Sequence, residues 1–341
     1  MGKFQIYGGR PLRGEVRISG AKNAVLALAP ATLLAPGVYR FRNVPRLSDV
    51  KTMIELLEAL GCLCRLEGTE LVLDTRTVTS FRAPQEIVSR MRASFYVLGP
   101  LVARYGYAEV PLPGGCSWGP RPVDLHLSGL QQLGATLELR DGFVIASAQR
   151  LRGAQIRLRV SSVGATGNIL MAAALAEGET IIDNAAMEPE IVQLGEFLQS
   201  MGAHIEGLGT STLRILGTRE LHPADVDVIP DRIEAATFLI AAAATGGEIT
   251  LTETRADHLG AVLEALEAIG CRLSVTDSSI TLRMEQLPRP HDIVTAPYPG
   301  FPTDVQAQWT ALMLRAPGVC RITDTIYPDR FQHVPELQRL G

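Results

Sequence analysis

Aromatic residues are scarce. Phe, Trp and Tyr make up 5% of the 341 residues, and only two are tryptophan. That composition disfavours a surface that stacks bases or anchors a protein partner through aromatic hot spots. Positive charge is not in excess either. The formal net charge is −4, without the basic footprint a phosphate backbone requires, so nucleic acid is not expected as a partner. Long hydrophobic runs are missing. The longest, Ala24–Ala35, is interrupted by Pro30 and is too short to span a bilayer, so no membrane partner is expected. Met1–Gly14 carries no apolar signal core, and Ile6 stands where N-myristoylation needs Ser or Thr. The five cysteines are odd in number and lack C-x-x-C spacing, which suits a reducing compartment. Together these features predict a cytoplasmic protein. The six histidines are scattered without metal-ligand spacing. No H-E-x-x-H, P-loop, G-x-S-x-G or dinucleotide fingerprint is present. The expectation is therefore no metal and no cofactor.

What the chain does contain is a repeat. The phrase Leu-x-x-(Leu/Met/Ile)-Gly ends at Gly61, Gly134, Gly202 and Gly270 and begins again at Leu337–Gly341. The spacing of about 70 residues marks repeated supersecondary units. Each of the first four glycines reads as a helix stop, followed by a strand, a turn and a second strand, as in Cys62–Asp74, Ala135–Ala146 and Cys271–Met284. A second set, Gly37, Gly106, Gly178, Gly247 and Gly318, opens short alternating strands. Amphipathic helices follow, such as Val50–Leu60 and His258–Ile269. A further helix per unit begins near Lys22, Arg92, Thr166, Ile233 and Val305. Ala24–Ala35, Ile169–Ala176 and Ala235–Ala244 are apolar almost all round and belong inside a domain. The predicted fold is α/β, with sheets outside and buried helices at the centre. Five units start. The fifth stops at Gly341, where a strand hairpin is due, so the last unit is expected to be incomplete.

Four loops carry polar residues that the repeat does not require. In Ser19–Asn23, Lys22 sits at a helix N-terminus, where the helix dipole disfavours a cation. It either meets a bound anion there or is a solvated lysine. The loop Pro113–Asp124 is rich in Gly and Pro and holds Cys116 close to Arg121. Cys62 and Cys271 fill the small position after the repeat glycine and read as inert core, and Cys64 and Cys320, placed in strands, read the same way. Cys116 lies off that register, where a neighbouring arginine tunes a thiol for proton transfer or attack. Ser161–Thr166 leads into a buried helix and suits either a phosphate or plain N-capping by Ser or Thr. In Phe301–Asp304, Asp304 either caps the following helix or serves as a carboxylate base.

Nine phrases together resemble the enolpyruvyl transferases, in the branch that uses UDP-N-acetylglucosamine. They are Ile18–Asn23, Met91–Ser94, Leu98–Arg104, Leu112–Cys116, Arg121–His126, Ser162–Thr166, Pro230–Glu234, Phe301–Gln308 and His333–Leu337, in family order through the whole chain. The resemblance implies two domains of repeated βαβαββ-type units forming an inside-out α/β barrel, residues 22–230 in one and residues 1–21 with 231–341 in the other. It implies transfer of enolpyruvate from phosphoenolpyruvate to the sugar 3-hydroxyl of UDP-N-acetylglucosamine, with release of phosphate, in peptidoglycan precursor synthesis. Cys116 is the implied acid, which in the family also forms an adduct with phosphoenolpyruvate, and Asp304 is the implied base. The resemblance further implies that Lys22, Arg92, Arg121 and Arg330 hold phosphoenolpyruvate, that Asn23 binds the sugar side, that Arg121, Pro122, Val123, Asp124 and Leu125 line the uridine pocket, that Ser162 and Val163 donate to the diphosphate, and that Ile326 lies near the sugar.

The sequence departs from that family in places. Val160 and Ser48 stand where some members have lysine. The family continues roughly one more unit, with an Asp-Leu-Arg motif and a late arginine. The expectation is accordingly a chain whose exposed seam is covered by an oligomer or a partner. Two other readings remain: a non-catalytic homologue that binds UDP-sugar without turnover, and the shikimate-pathway transferase. Leu112–Cys116 argues against the second, which uses no loop cysteine acid.

Overall fold

The structure, a computed structural model, describes residue 5, residues 7–113 and residues 123–340. Gly61, Gly134, Gly202 and Gly270 adopt φ of +103°, +92°, +103° and +108°, the left-handed region that costs glycine least. In each case the glycine N–H and the next N–H turn back onto the helix end. Gly61 donates to Glu58 O at 2.9 Å and Cys62 to Leu57 O at 3.0 Å, and Gly270 and Cys271 repeat this with Glu267 O and Leu266 O. This paired closure satisfies carbonyls that a helix end otherwise leaves bare.

The strands after those glycines form one pattern throughout. In the sheet built from Val38–Arg42, Glu70–Asp74 and Leu63–Glu67, the opening strand pairs antiparallel with the second strand of the hairpin. That second strand pairs with the first, and Val226–Asp227 adds in parallel on the open side. Glu179–Asp183, Thr212–Leu216 and His204–Glu206 repeat the order, with Gln155–Arg157 as the parallel strand. Glu248–Thr252, Ser279–Arg283 and Arg272–Val275 do so again with Arg13–Arg17. Tyr107–Pro111, Phe143–Ser147 and Thr136–Arg140 form the three-stranded version. Each opening strand buries alternate residues, as Ile249 and Leu251 do between exposed or half-buried neighbours.

The fifth unit departs from expectation. After Gly318 the strand begins at Ile322 and not directly after the glycine, so Cys320 precedes the strand in which it was expected. Pairing starts only where Ile293 N–H meets Arg321 O at 3.1 Å, and Ile322–Thr323 then runs parallel to Ile293–Val294.

The chain forms two compact units, Gly20–Ile229 and Met1–Ser19 with Pro230–Gly341. In the first, the helices Lys22–Ala31 and Val163–Ala173 are enclosed. Ala24–Ala31 and Ala165–Ala173 are buried without a break, which matches their lack of a polar face. In the second, Arg232–Thr245 is less enclosed than its composition suggests. Thr237, Phe238, Ala241 and Ala244 are half-buried in this helix, which packs on Gln306–Met313 and on the strands at 248–252 and 279–283.

Candidate active site

Lys22 opens its helix, and its Nζ lies 3.2 Å from Asp49 Oδ2 at the start of the helix Ser48–Ala59. A carboxylate therefore faces the cation that the helix end disfavours. Each side chain is 37% exposed, so the pair is a tether, worth at most about 1 kcal/mol, that leaves the ammonium reachable by solvent anions. Asn23 beside it is exposed.

Three further segments of the same unit are bound together by one buried amide. Asn168 stands fully buried in a helix whose one other buried polar residue is Thr166. Its Nδ2 donates to Phe95 O at 2.9 Å and lies 3.0 Å from His126 Nδ1, while its Oδ1 accepts from Gly99 N at 2.6 Å. Tyr96 Oη donates to Val163 O at 3.2 Å. These bonds join the 3-10 turn Arg92–Val97, the helix Asp124–Gln132 and the helix Val163–Ala173. Half-buried Arg92, buried Val123, exposed Asp124, half-buried Leu125, Ser162 and half-buried Val163 thus sit on elements that share a common brace. Ser162 is the N-cap found at its helix, its Oγ accepting from Ala165 N at 3.3 Å. Accepting leaves the hydroxyl proton free to point at an anion. Asp124 pairs with Arg159, the residue before the Val160 that departs from the family pattern.

The other unit holds a second cluster. Asp304 lies in the 3-10 turn Thr303–Val305, and the cap positions of that turn and of the next helix are Pro302 and Val305, so Asp304 is not the capping residue. Its Oδ1 accepts from Arg330 Nη1 at 2.9 Å, and the same nitrogen donates to Thr303 Oγ1 at 3.2 Å. Ile326, half-buried, lies on the loop that leads to Arg330, and its N–H donates to Asp324 Oδ1 at 2.9 Å. Cys116, Arg121 and Pro122 fall outside the described residues.

The chain is similar to known proteins along nearly its whole length. The model of the EPSP synthase (3-phosphoshikimate 1-carboxyvinyltransferase) family matches residues 6–341. The chain belongs to this enolpyruvyl transferase family. Curated relatives named UDP-N-acetylglucosamine 1-carboxyvinyltransferase include that of Chloroherpeton thalassium, 53% identical over 100% of this chain and 80% of its own length. The relative from Geobacter metallireducens is 48% identical over 100% and 82%. Among solved structures, the enolpyruvyl transferase NikO from Streptomyces tendae superposes with a TM-score of 0.87 at 27% identity, covering 98% of this chain and 80% of that one. An EPSP synthase from Acinetobacter baumannii shares the fold, with a TM-score of 0.72 at 17% identity over 96% and 78%.

In this enolpyruvyl transferase the thiols of Cys62, Cys64 and Cys271 are poor acids. Burial pushes Cys62 and Cys271 up to about 12 and raises Cys64 as well, as expected of core cysteines. Among the described residues no group of three His, Cys, Asp or Glu is placed to hold a metal ion.

His126 behaves as a structural imidazole. Burial, reinforced by the Arg92 charge, lowers its pKa to about 3. The folded chain therefore refuses a proton that the unfolded chain takes up as pH falls through about 6.5. Between those values the unfolded state binds more protons, so stability is lost as pH drops. From pH 7 to pH 5 His126 alone is expected to cost about 2 kcal/mol of unfolding free energy. Half-buried His258, lowered to about 4 by desolvation, adds in the same direction. Urea unfolding at the two pH values measures this; equal midpoints would mean that His126 is not held neutral.

Proposed function

We propose that the chain transfers the enolpyruvyl group of phosphoenolpyruvate to the 3-hydroxyl of UDP-N-acetylglucosamine, releasing phosphate, as a cytoplasmic step in peptidoglycan precursor synthesis. The observation that carries this reading is the level of identity, 48–53% along the whole chain, to relatives bearing that activity in their name. The EPSP synthase structures share only the fold, at 17% and 18% identity. No described helix is long and apolar enough to cross a membrane.

The reaction adds and then eliminates. C3 of phosphoenolpyruvate gains a proton while the sugar oxygen bonds to C2, and the hydroxyl proton passes to a base. Loss of a C3 proton then restores the double bond as the C2–O bond to phosphate breaks. Cys116 is the proposed acid, since a thiol of ordinary pKa is mostly protonated at neutral pH. Asp304 is the proposed base. Its Oδ1 accepts from Arg330 Nη1 at 2.9 Å, and a carboxylate is the kind of group able to take the proton of an attacking hydroxyl. Lys22, Arg92, Arg121 and Arg330 are the proposed cations for phosphate and carboxylate, which Asn23 and Ile326 complement on the sugar side. Ser162 and Val163 would face the diphosphate, at the start of an eleven-residue helix whose N-terminus favours anions. Residues 121–125 would take the uridine.

The test is phosphate release from phosphoenolpyruvate with a panel of acceptors. Release that needs UDP-N-acetylglucosamine and ignores shikimate 3-phosphate is expected. Release driven by shikimate 3-phosphate would overturn the substrate assignment, and UDP-N-acetylglucosamine binding with no release would favour a non-catalytic homologue.

A further inference from the structure

Asp324 is a buried carboxylate, 6% exposed, to which the sequence patterns assign no role. Four donors converge on it. Oδ1 accepts from Thr295 Oγ1 at 2.9 Å, Ile326 N at 2.9 Å and Tyr327 N at 2.8 Å, and Oδ2 accepts from Thr303 Oγ1 at 2.6 Å. The donors come from three stretches of chain: the end of the strand at 293–294, the turn bearing Asp304, and the loop bearing Ile326 and Arg330. Thr325 strengthens the same junction, its N–H donating to Thr295 Oγ1 at 3.0 Å and its hydroxyl to Thr295 O at 2.5 Å.

The chemistry of the donor set gives the array a direction. An ionised carboxylate only accepts, so the Thr303 hydroxyl must spend its single proton on Asp324. Thr303 Oγ1 is then left as an acceptor, and Arg330 Nη1 meets it at 3.2 Å while reaching Asp304 Oδ1 at 2.9 Å. Asp324 acts on Arg330 from a second side as well. It holds the backbone of Tyr327, whose ring centroid lies 5.8 Å from the Arg330 guanidinium carbon, within cation–π range.

From this array we propose that Asp324 is a positioning residue for the reaction, setting the orientation of Arg330, and through it of Asp304, by way of the Thr303 hydroxyl. This rests on the reading of Asp304 as the base. A polar side chain whose proton direction is fixed by a buried anion holds its neighbours more narrowly than a freely rotating hydroxyl, and misplacement by about 1 Å costs on the order of 100-fold in rate. Because Asp324 is buried, Asp324→Asn could fail for reasons of folding alone. Thr303→Val keeps the shape and removes the relay.

The experiment compares kcat and KM for Thr303→Val, Thr303→Ser, Asp324→Asn and Asp304→Asn, using phosphoenolpyruvate and UDP-N-acetylglucosamine. Thr303→Val is expected to lower kcat by roughly 100-fold with KM for the nucleotide sugar within about threefold, and Thr303→Ser is expected to recover most of kcat. A Thr303→Val chain with unchanged kcat would overturn the proposal, as would equal losses in the Val and Ser variants. If Asp304→Asn itself retains turnover, it is the assignment of the base that fails, and the two failures are thereby told apart.

Discussion

An Asp304→Asn chain is expected to lose turnover by roughly 10²- to 10⁴-fold, the range a positioned general base contributes, while keeping its affinity for the nucleotide sugar. The amide has the shape of the carboxylate and still offers an oxygen to Arg330 Nη1, which donates to Asp304 Oδ1 at 2.9 Å in the parent chain. It cannot take the proton of an attacking hydroxyl. Stability should change little. The Asp304 side chain is 42% exposed, and pairs reached by solvent contribute about 1 kcal/mol or less. Single-turnover phosphate release, together with calorimetric binding of UDP-N-acetylglucosamine, separates the two effects. A variant that turns over normally would remove Asp304 from the chemistry. One that loses binding and rate together would make it a ligand-holding residue.

Gly20→Ala should bring a large loss of stability. A Cβ on Gly20 would lie 1.7 Å from Asn43 O and 2.9 Å from Asn43 C, and both atoms are backbone. Neither side can yield easily. Asn43 already occupies a positive φ of 59° and its Nδ2 donates to Val228 O at 3.0 Å, while Ala21 N donates to Ile229 O at 2.7 Å. Overpacking against backbone lies at the upper end of such costs, about 3 kcal/mol. Lys22 follows two residues later, so its approach to Asp49 should be disturbed and activity should fall with stability. Urea unfolding measures the loss. A midpoint equal to that of the parent would show that the backbone at Gly20 has more room than the 1.7 Å approach allows.

Much of the fold could be read from the chain because its punctuation is local. A glycine that ends a helix, a strand that alternates and a helix with no polar face are each decided within about ten residues. Gly61, Gly134, Gly202 and Gly270, and the hairpins behind them, follow from that. The fifth strand was misplaced because its start is set by a partner, Ile293 N–H on Arg321 O, and not by Gly318. The site was legible only in part, for the same reason. Lys22, Ser162 and Asp304 stand in polar phrases that the repeat does not require, whereas Arg92 was reached only through the family resemblance. Asp49, His126, Asn168 and Asp324 do their work through contacts with distant segments. A lone asparagine in an apolar helix and an aspartate between two threonines were the only local signs of the last two. For Ser162 and Asp304 the sequence left capping as an alternative. Capping is what Ser162 does and what Asp304 does not, a difference of one or two residues in where each helix begins.

The most direct test of the proposed activity is the identity of the product. Purified chain is incubated with phosphoenolpyruvate and UDP-N-acetylglucosamine, and the nucleotide sugar is analysed by NMR. The account predicts a carboxyvinyl ether on the sugar 3-oxygen, formed in step with phosphate. Phosphate released while UDP-N-acetylglucosamine is recovered unchanged would contradict it.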